Sequence, residues 1–373
     1  LFKNRSKRIL LAAMLLLASF LLTGCWDARA VNDLNLCTMV VLDKKGDEFS
    51  FTLEIAKITA SGESGGPKKQ SYLMGSGKSL SEARADVDTQ NDKPLFLGTV
   101  RALVLTEATA ANDFAEYMFR LRENQEYRQK VNIAITGEDP KALTEYEDES
   151  DQPAGFVIDD TIHAMQNSGQ TCAVSTEEYI NDILSKRGFV IQHIKLQDKQ
   201  IKIDGYSVFR DAKLVGFIPI EDSHGMAYLI SRNPLRFYRL PGDSGFITAE
   251  VELKRREIKP SYQNGKIRFQ VRLAFKATIQ YTNDTDLFPL NDQNIQKYSD
   301  DLNQVLASEV RTAVDQSQKQ FQSDYLALGE EFRLAYPDEF ERMDWQAEYQ
   351  AAEFDISTSV DCSISDKMDI KAS

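Results

Sequence analysis

Four cysteines and three histidines are the residues of this chain best suited to thiol, metal or proton-transfer chemistry. Cys37, Cys172 and Cys362 lie far apart, are odd in number and include no C-x-x-C pair. That spacing is neither a disulfide framework nor a zinc site, and it predicts inert thiols or one incidental bridge. His163, His193 and His224 form no H-E-x-x-H arrangement, and none lies near a cysteine in sequence. No metal site and no cofactor are therefore expected. The one G-x-S-x-G match, Gly62 to Gly66, falls in the Gly/Ser-rich stretch read as loop and not at a strand-to-helix turn, so it is no nucleophile elbow, and there is no G-x-G-x-x-G fingerprint. Gly75 to Ser79, "GSGKS", imitates the end of a phosphate loop but lacks the upstream glycine at the required distance. It is expected to be a plain loop before a helix. The 57 acidic side chains are accounted for by surface solvation, with no pair spaced as a glycosidase couple.

Cys25 differs from the other cysteines in what precedes it. Lys3, Arg5, Lys7 and Arg8 form a basic head, and the apolar or small-residue run "ILLAAMLLLASFLL" follows from Ile9 to Leu22. Thr23 and Gly24 then precede the thiol. A basic head, a short apolar core and a small-residue processing site make a secretory signal peptide. The run is shorter than the roughly 20 apolar residues of a permanent transmembrane helix. "LTGC" is similar to the lipobox of bacterial lipoproteins. Residues 1–24 are thus expected to be removed and Cys25 to carry the lipid.

The 349 residues after position 24 can bury a large core and exceed the usual size of one domain. The whole chain has a formal charge of −13. Setting aside the four basic residues of the leader, which holds no acid, makes this −17. That balance argues against nucleic acid as a partner and against broad electrostatic attachment to anionic lipid. Membrane contact should come from the lipid itself, and more than one acyl chain is needed for stable anchoring.

The elements that position these residues divide into two parts. In the first, Asn35 to Val41 and "EFSFTLEIAKI" read as strands joined by the charged turn at 43–47. Residues 61–70 read as loop, and Ser79 caps a helix with Glu82 three residues on. Strand, helix and strand follow over Pro94–Glu107, Asn112–Leu121 and Lys130–Gly137, while 138–155 reads as an acidic surface loop or a short helix with a frayed end. A helix at 175–184, capped by Ser175, leads into "FVIQHIKLQD". A boundary is expected near 198–204, separating a mixed α/β domain at 26–200 from an α+β domain at 204–370. A further division near 245 is left open.

In the second part, strands flank a turn at Arg210-Asp211-Ala212. Asn264-Gly265 is a strong hairpin signal. Phe269, Val271, Leu273, Phe275, Ala277 and Ile279 alternate with Arg268, Gln270, Arg272, Lys276, Thr278 and Gln280, as in a strand with one wet face. A long helix is expected at 299–328, ended by Gly329, then a helix interrupted at Pro337 and a last strand over Ala352–Ile364. The fold class is therefore α+β, a multidomain ectodomain whose C-terminal antiparallel sheet packs on a long helix.

Residues 20–365 resemble the C-subunit lipoproteins of nutrient germinant receptors in endospore-forming bacteria. The segments that carry the resemblance are "LTGCWDARAVNDLNL", "VVLDKKGDEFSFTLEI", "KSLSEARADV", "KPLFLGTVRALVLTEATA", "GYSVFRDAKLVGFIPIEDSHGMAYLI" and "SDYLALGEEFRLAYPDEFERMDW", in that order and spacing. The chain departs from the family at Val41, where glycine is usual, and at Thr99, where histidine is common. The first substitution is expected to alter a backbone turn. The resemblance implies a non-enzymatic subunit, lipid-anchored on the outer face of the spore inner membrane. It would act beside a multi-pass B subunit and a large A subunit, which take part in nutrient recognition and make direct nutrient binding by this chain unlikely. The rival readings are an extracytoplasmic solute-binding lipoprotein, which needs a large inter-domain cleft with convergent polar groups, and an envelope hydrolase. Partner contacts are expected at the Asn264-Gly265 hairpin and along Gly205–Ile230.

Overall fold

The computed structural model describes residues 31–59, 66–124, 126–128, 130–146, 152–171, 176–242, 244–283 and 292–370. The leader, Cys25, Cys172 and the Ser175 cap lie outside the described residues.

The first half opens with strands β1 (Asn35–Lys45), β2 (Glu48–Thr59) and β3 (Gly66–Gly77), helix α1 (Leu80–Thr89) and strands β4 (Leu95–Phe96) and β5 (Ala102–Thr106). Helices α2 (Glu107–Asn112) and α3 (Phe114–Glu123), strand β6 (Asn132–Thr136) and helices α4 (Pro140–Leu143), α5 (Ala154–Asn167) and α6 (Thr176–Leu184) follow. Strands β7 (Phe189–Gln197), β8 (Gln200–Arg210) and β9 (Lys213–Pro219) complete one sheet in the order β3-β2-β1-β5-β6-β7-β8-β9, with β4 beside β1. Its centre, β1-β5-β6-β7, is parallel and both flanks are antiparallel.

Helices cover both faces of this sheet. Leu80, Ala83, Val87, Phe114, Met118 and Tyr179 pack on one face, and Ala154, Ile158 and Ile162 on the other. Double coverage explains why β5, "ALVLT", is buried at every position rather than alternating.

Several expectations change here. Residues 66–70, read as loop, are strand, because β3 pairs with β2 from Thr59↔Gly66 to Phe49↔Gly77. Gly75 and Gly77 of the phosphate-loop mimic are therefore strand residues, and a Cβ at either would meet α1 backbone within 2.7 Å. Ser79 caps α1 as expected, accepting from the Glu82 amide at 3.2 Å while Glu82 accepts from the Lys78 amide. Val41 does not alter a turn, since it lies inside β1 opposite Thr52 and Val104. Helix α5 is an element the sequence reading passed over.

The expected boundary at 198–204 falls on the β7–β8 hairpin. Asp198 and Lys199 both have positive φ, 52° and 61°, the geometry of a primed two-residue turn. The same geometry closes Asp211-Ala212 and Asn264-Gly265. Pairing from Phe189↔Phe209 to Gln197↔Gln200 carries the sheet through the expected boundary to Pro219.

The second half contains α7 (His224–Ile230), β10 (Leu235–Pro241), β11 (Phe246–Gln263), β12 (Lys266–Thr282), α8 (Asp292–Asp315), α9 (Leu328–Ala335), α10 (Pro337–Phe340), α11 (Trp345–Ala351) and β13 (Glu353–Ile370). Four strands form a second sheet, β10-β11-β12-β13. Ile267 to Ile279 bury alternate β12 side chains, as the sequence alternation predicts. The sheet is not wholly antiparallel: β13 runs parallel to β12, because a helical crossover rather than a hairpin joins them.

The long helix also begins and ends earlier than expected. A π turn over Gln316–Gln320 closes it. Buried Gln318 there donates to the Tyr349 and Ala352 carbonyls, and Ser317 bonds the Tyr349 hydroxyl and the Ser323 carbonyl. Gln322 and Ala327 then take positive φ. Gly329 lies within α9 and ends nothing; its missing Cβ leaves room for the Trp345 indole.

The two halves share a core. Val190, Tyr206, Val208 and Ile218 of the first sheet pack with Ile247, Val271, Phe275, Leu306 and Val310 of the second half. The segment Gly205–Ile230, expected as a partner surface, is therefore largely interior: Tyr206, Val208, Phe209, Ile218 and Tyr228 are each fully buried. The Asn264-Gly265 turn is exposed.

Candidate functional site

The residues singled out from sequence are not brought together. Cys37 is fully buried, and burial pushes its thiol up to about 12. Half-buried Cys362 is raised to about 11 by the same cause. Both are free thiols held in the neutral, unreactive form. The histidines lie beside carboxylates at three separate places. His163 lies 3.5 Å from Asp159. His193 Nδ1 is 2.7 Å from Asp204, with Glu107 3.4 Å from its other nitrogen. His224 is 3.3 Å from Glu309, which also accepts from Tyr238. No group of three potential metal ligands occurs among the described residues.

The carboxyl ends of the parallel strands are where open α/β sheets commonly hold ligands. Here the protein's own side chains tie that edge together. Thr106 donates to Asp43 at 2.6 Å, Lys45 bridges to Asp139 at 2.7 Å, and Thr109 donates to the Leu42 carbonyl.

The opposite edge carries a crevice of about 860 Å³. Arg128, Lys130 and Asn132 line it at the entry to β6, His163 and Asn167 at the end of α5, and Asp182 on α6. Arg187 and Val190 enter from the start of β7, and Ser231, Arg232 and Tyr325 from the second half. Buried Arg236 of β10 fastens the α5 end by donating to the Gly169 and Gln170 carbonyls at 2.7 and 2.9 Å. Arg187 links the halves, 2.8 Å from Asp182 and 3.7 Å from Glu330. Burial raises Asp182 to about 6 although the guanidinium pulls it down.

A second junction lies behind Arg187. Ser323 donates to the Phe209 carbonyl at 2.6 Å, and Arg210 donates to the Phe321 carbonyl. Fully buried Asp324 caps α9, accepting from the Leu328 and Gly329 amides and the Trp345 indole, while burial raises it to about 6.

Sequence reasoning missed the crevice because its walls come from segments spread between residues 128 and 327, none with a motif of its own. The only local signal was a basic pair, Arg128 and Lys130, in an acidic chain.

Comparison with known proteins gives a consistent result. A family profile described as "Spore germination protein N-terminal domain" matches residues 27–196, and one described as "Spore germination B3/ GerAC like, C-terminal" matches 204–366. The two profiles part at the β7–β8 turn. Spore germination protein B3 of Bacillus subtilis (strain 168) is 21% identical, over 91% of this chain and 94% of that protein. Spore germination protein A3 of the same organism is 21% identical, over 92% and 94%. Spore germination protein KC, also from that organism, is 20% identical, over 92% of each. The crystal structure of the GerBC protein superposes with a TM-score of 0.57 at 14% identity, covering 87% of this chain and 96% of that one. At that identity the superposition shows the fold.

Proposed function

The chain belongs to the spore germination B3/GerAC-like family, and on that premise we propose that it is a non-enzymatic, lipid-anchored subunit of a receptor that starts germination. The family assigns it a role in spore germination. The observation that carries the finer reading is the "LTGC" junction at Cys25, two residues before the first family-matched residue, 27. In this reading Cys25 bears the diacylglyceryl lipid, the chain sits on the outer face of the spore inner membrane, and A and B subunits are its partners. Nutrient recognition belongs to those subunits.

A protein-contact role is supported by how the polar groups are used. Buried thiols are held neutral, the histidines are dispersed beside separate carboxylates, and the edge of the sheet favoured for ligands is tied by internal hydrogen bonds. The experiment is affinity purification of the full-length chain from detergent-solubilised spore membranes. Recovery of a multi-pass protein and a large membrane protein in fixed ratio supports the reading. Recovery of the chain alone, with both proteins intact in the unbound fraction, refutes it.

A further inference from the structure

The crevice between the halves has features that neither the anchor nor subunit contact uses. Arg128, Lys130 and Arg232 line it, and among the described residues none of the three has a carboxylate partner. Three such cations around one opening stand out in a chain of net charge −13. Two further polar atoms are orphaned in its wall. Arg187 Nε and Ser231 Oγ are both buried without a hydrogen-bond partner. Ser231 is 4% exposed, and its backbone is pinned on both sides: its amide donates to the Ala227 carbonyl and its carbonyl accepts from Arg256. A buried polar group left unsatisfied forfeits its desolvation energy, so two beside one opening mark a place where a partner belongs. Arg187 Nε can only donate and a serine hydroxyl can donate, so an acceptor completes either of them.

We propose that this crevice binds a small anionic solute, bearing a carboxylate or a phosphate, held between the two halves of the protein. The volume of about 860 Å³ lies within the range of small-molecule sites. Phe189, Val190, Ile230 and Tyr325 give it apolar wall for the body of the solute. Arg187 and Lys130 come from the first half, and Ser231 and Arg232 from the second, so an anion contacting both sets joins the halves. Binding of this kind is distinct from recognition of neutral amino acids or sugars, and it stands independently of attachment at Cys25.

The test is calorimetric titration of the full chain in detergent with inorganic phosphate, with citrate, and with glucose as the uncharged control. At least one anion is expected to bind one-to-one with a dissociation constant below about 1 mM, about −4 kcal/mol. Phosphate alone assigns a phosphate ligand, citrate alone a carboxylate, and both the shared anion chemistry. Arg232→Gln and Lys130→Gln, substitutions at exposed positions, should each weaken binding at least about tenfold, or about 1.4 kcal/mol, with the melting temperature of the free protein unchanged. Ser231→Ala should weaken it as well, and Arg268→Gln, on the far hairpin, should not. The proposal is overturned if neither anion binds at about 10 mM, well above the millimolar level that marks even weak affinity. It is equally overturned if binding survives both Arg232→Gln and Lys130→Gln at full strength.

Discussion

Replacing Glu54 with glutamine should destabilise the protein more than any other single-atom change in its first half. Glu54 is fully buried on β2. Its two oxygens accept from Thr38 Oγ1 at 2.7 Å, the Tyr72 hydroxyl at 3.1 Å, and the Ala154 and Gly155 amides at 2.7 and 3.0 Å. The last two are first-turn amides of α5, a hundred residues away, so the carboxylate pins that helix to the sheet and satisfies its free donors. Tyr72 serves as a donor throughout, because burial first and then the charge of Glu54 hold its phenol far above the usual range.

Glutamine keeps one acceptor oxygen and turns an amide NH2 toward two of the four donors. Hydrogen bonds to a charged group are worth about 1.5–3 kcal/mol, and a donor left facing a donor loses its desolvation energy too. With partial rearrangement around the amide, the expected loss is about 2–4 kcal/mol. For chains of 150–250 residues each kcal/mol lowers the melting temperature by about 2–4 °C, and this longer chain sits at or below the lower end. The expected drop is therefore at most about 4–8 °C by scanning calorimetry. Thr38→Val removes one donor and leaves the carboxylate, so its effect should be smaller, about 1.5 kcal/mol, the low end for one bond to a charged group. A Glu54→Gln melting temperature within about 1 °C of wild type, or a larger effect from Thr38→Val, refutes the pinning argument.

Gly155→Ala attacks the same contact sterically. Its Cβ would lie 2.1 Å from the Thr38 carbonyl oxygen, and a loss of about 1–3 kcal/mol is expected, read as a lower urea midpoint. Asp182 gives a prediction with a definite sign. Its folded pKa, raised from 3.8 to about 6, means the folded state binds more protons between those values, so its contribution is full below about pH 4 and lost as pH rises through 6. The contribution is up to about 3 kcal/mol. Asp182→Asn should flatten melting temperature against pH between 4 and 6.5, and an unchanged profile counts against the assignment.

Much of the fold was legible where one physical signal acted alone. The β11–β12 hairpin follows from Asn264-Gly265 and from alternation along β12, and α1 follows from its Ser79–Glu82 cap. The misreadings have tertiary causes. Residues 66–70 look like loop by composition yet become strand because β2 supplies the ladder. The long helix ends at a π turn because Gln318 finds two carbonyls at the C-terminal end of α11, those of Tyr349 and Ala352. Gly205–Ile230 looked like surface because its apolar residues suggested a patch, but the second half covers them. The crevice was invisible, since its residues converge only once both halves pack together.

The central claim is that this chain works in germination as a lipid-anchored subunit, and the most direct measurement is the nutrient response of spores whose only copy carries Cys25→Ala. Spores are exposed to a panel of amino acids and sugars, germination is followed optically, and the chain is assayed in membrane and soluble fractions. The account predicts that the substituted chain leaves the mature membrane-anchored pool and that the response given by wild-type spores is lost or strongly slowed. Wild-type germination with normally processed, membrane-bound Cys25→Ala protein would contradict it.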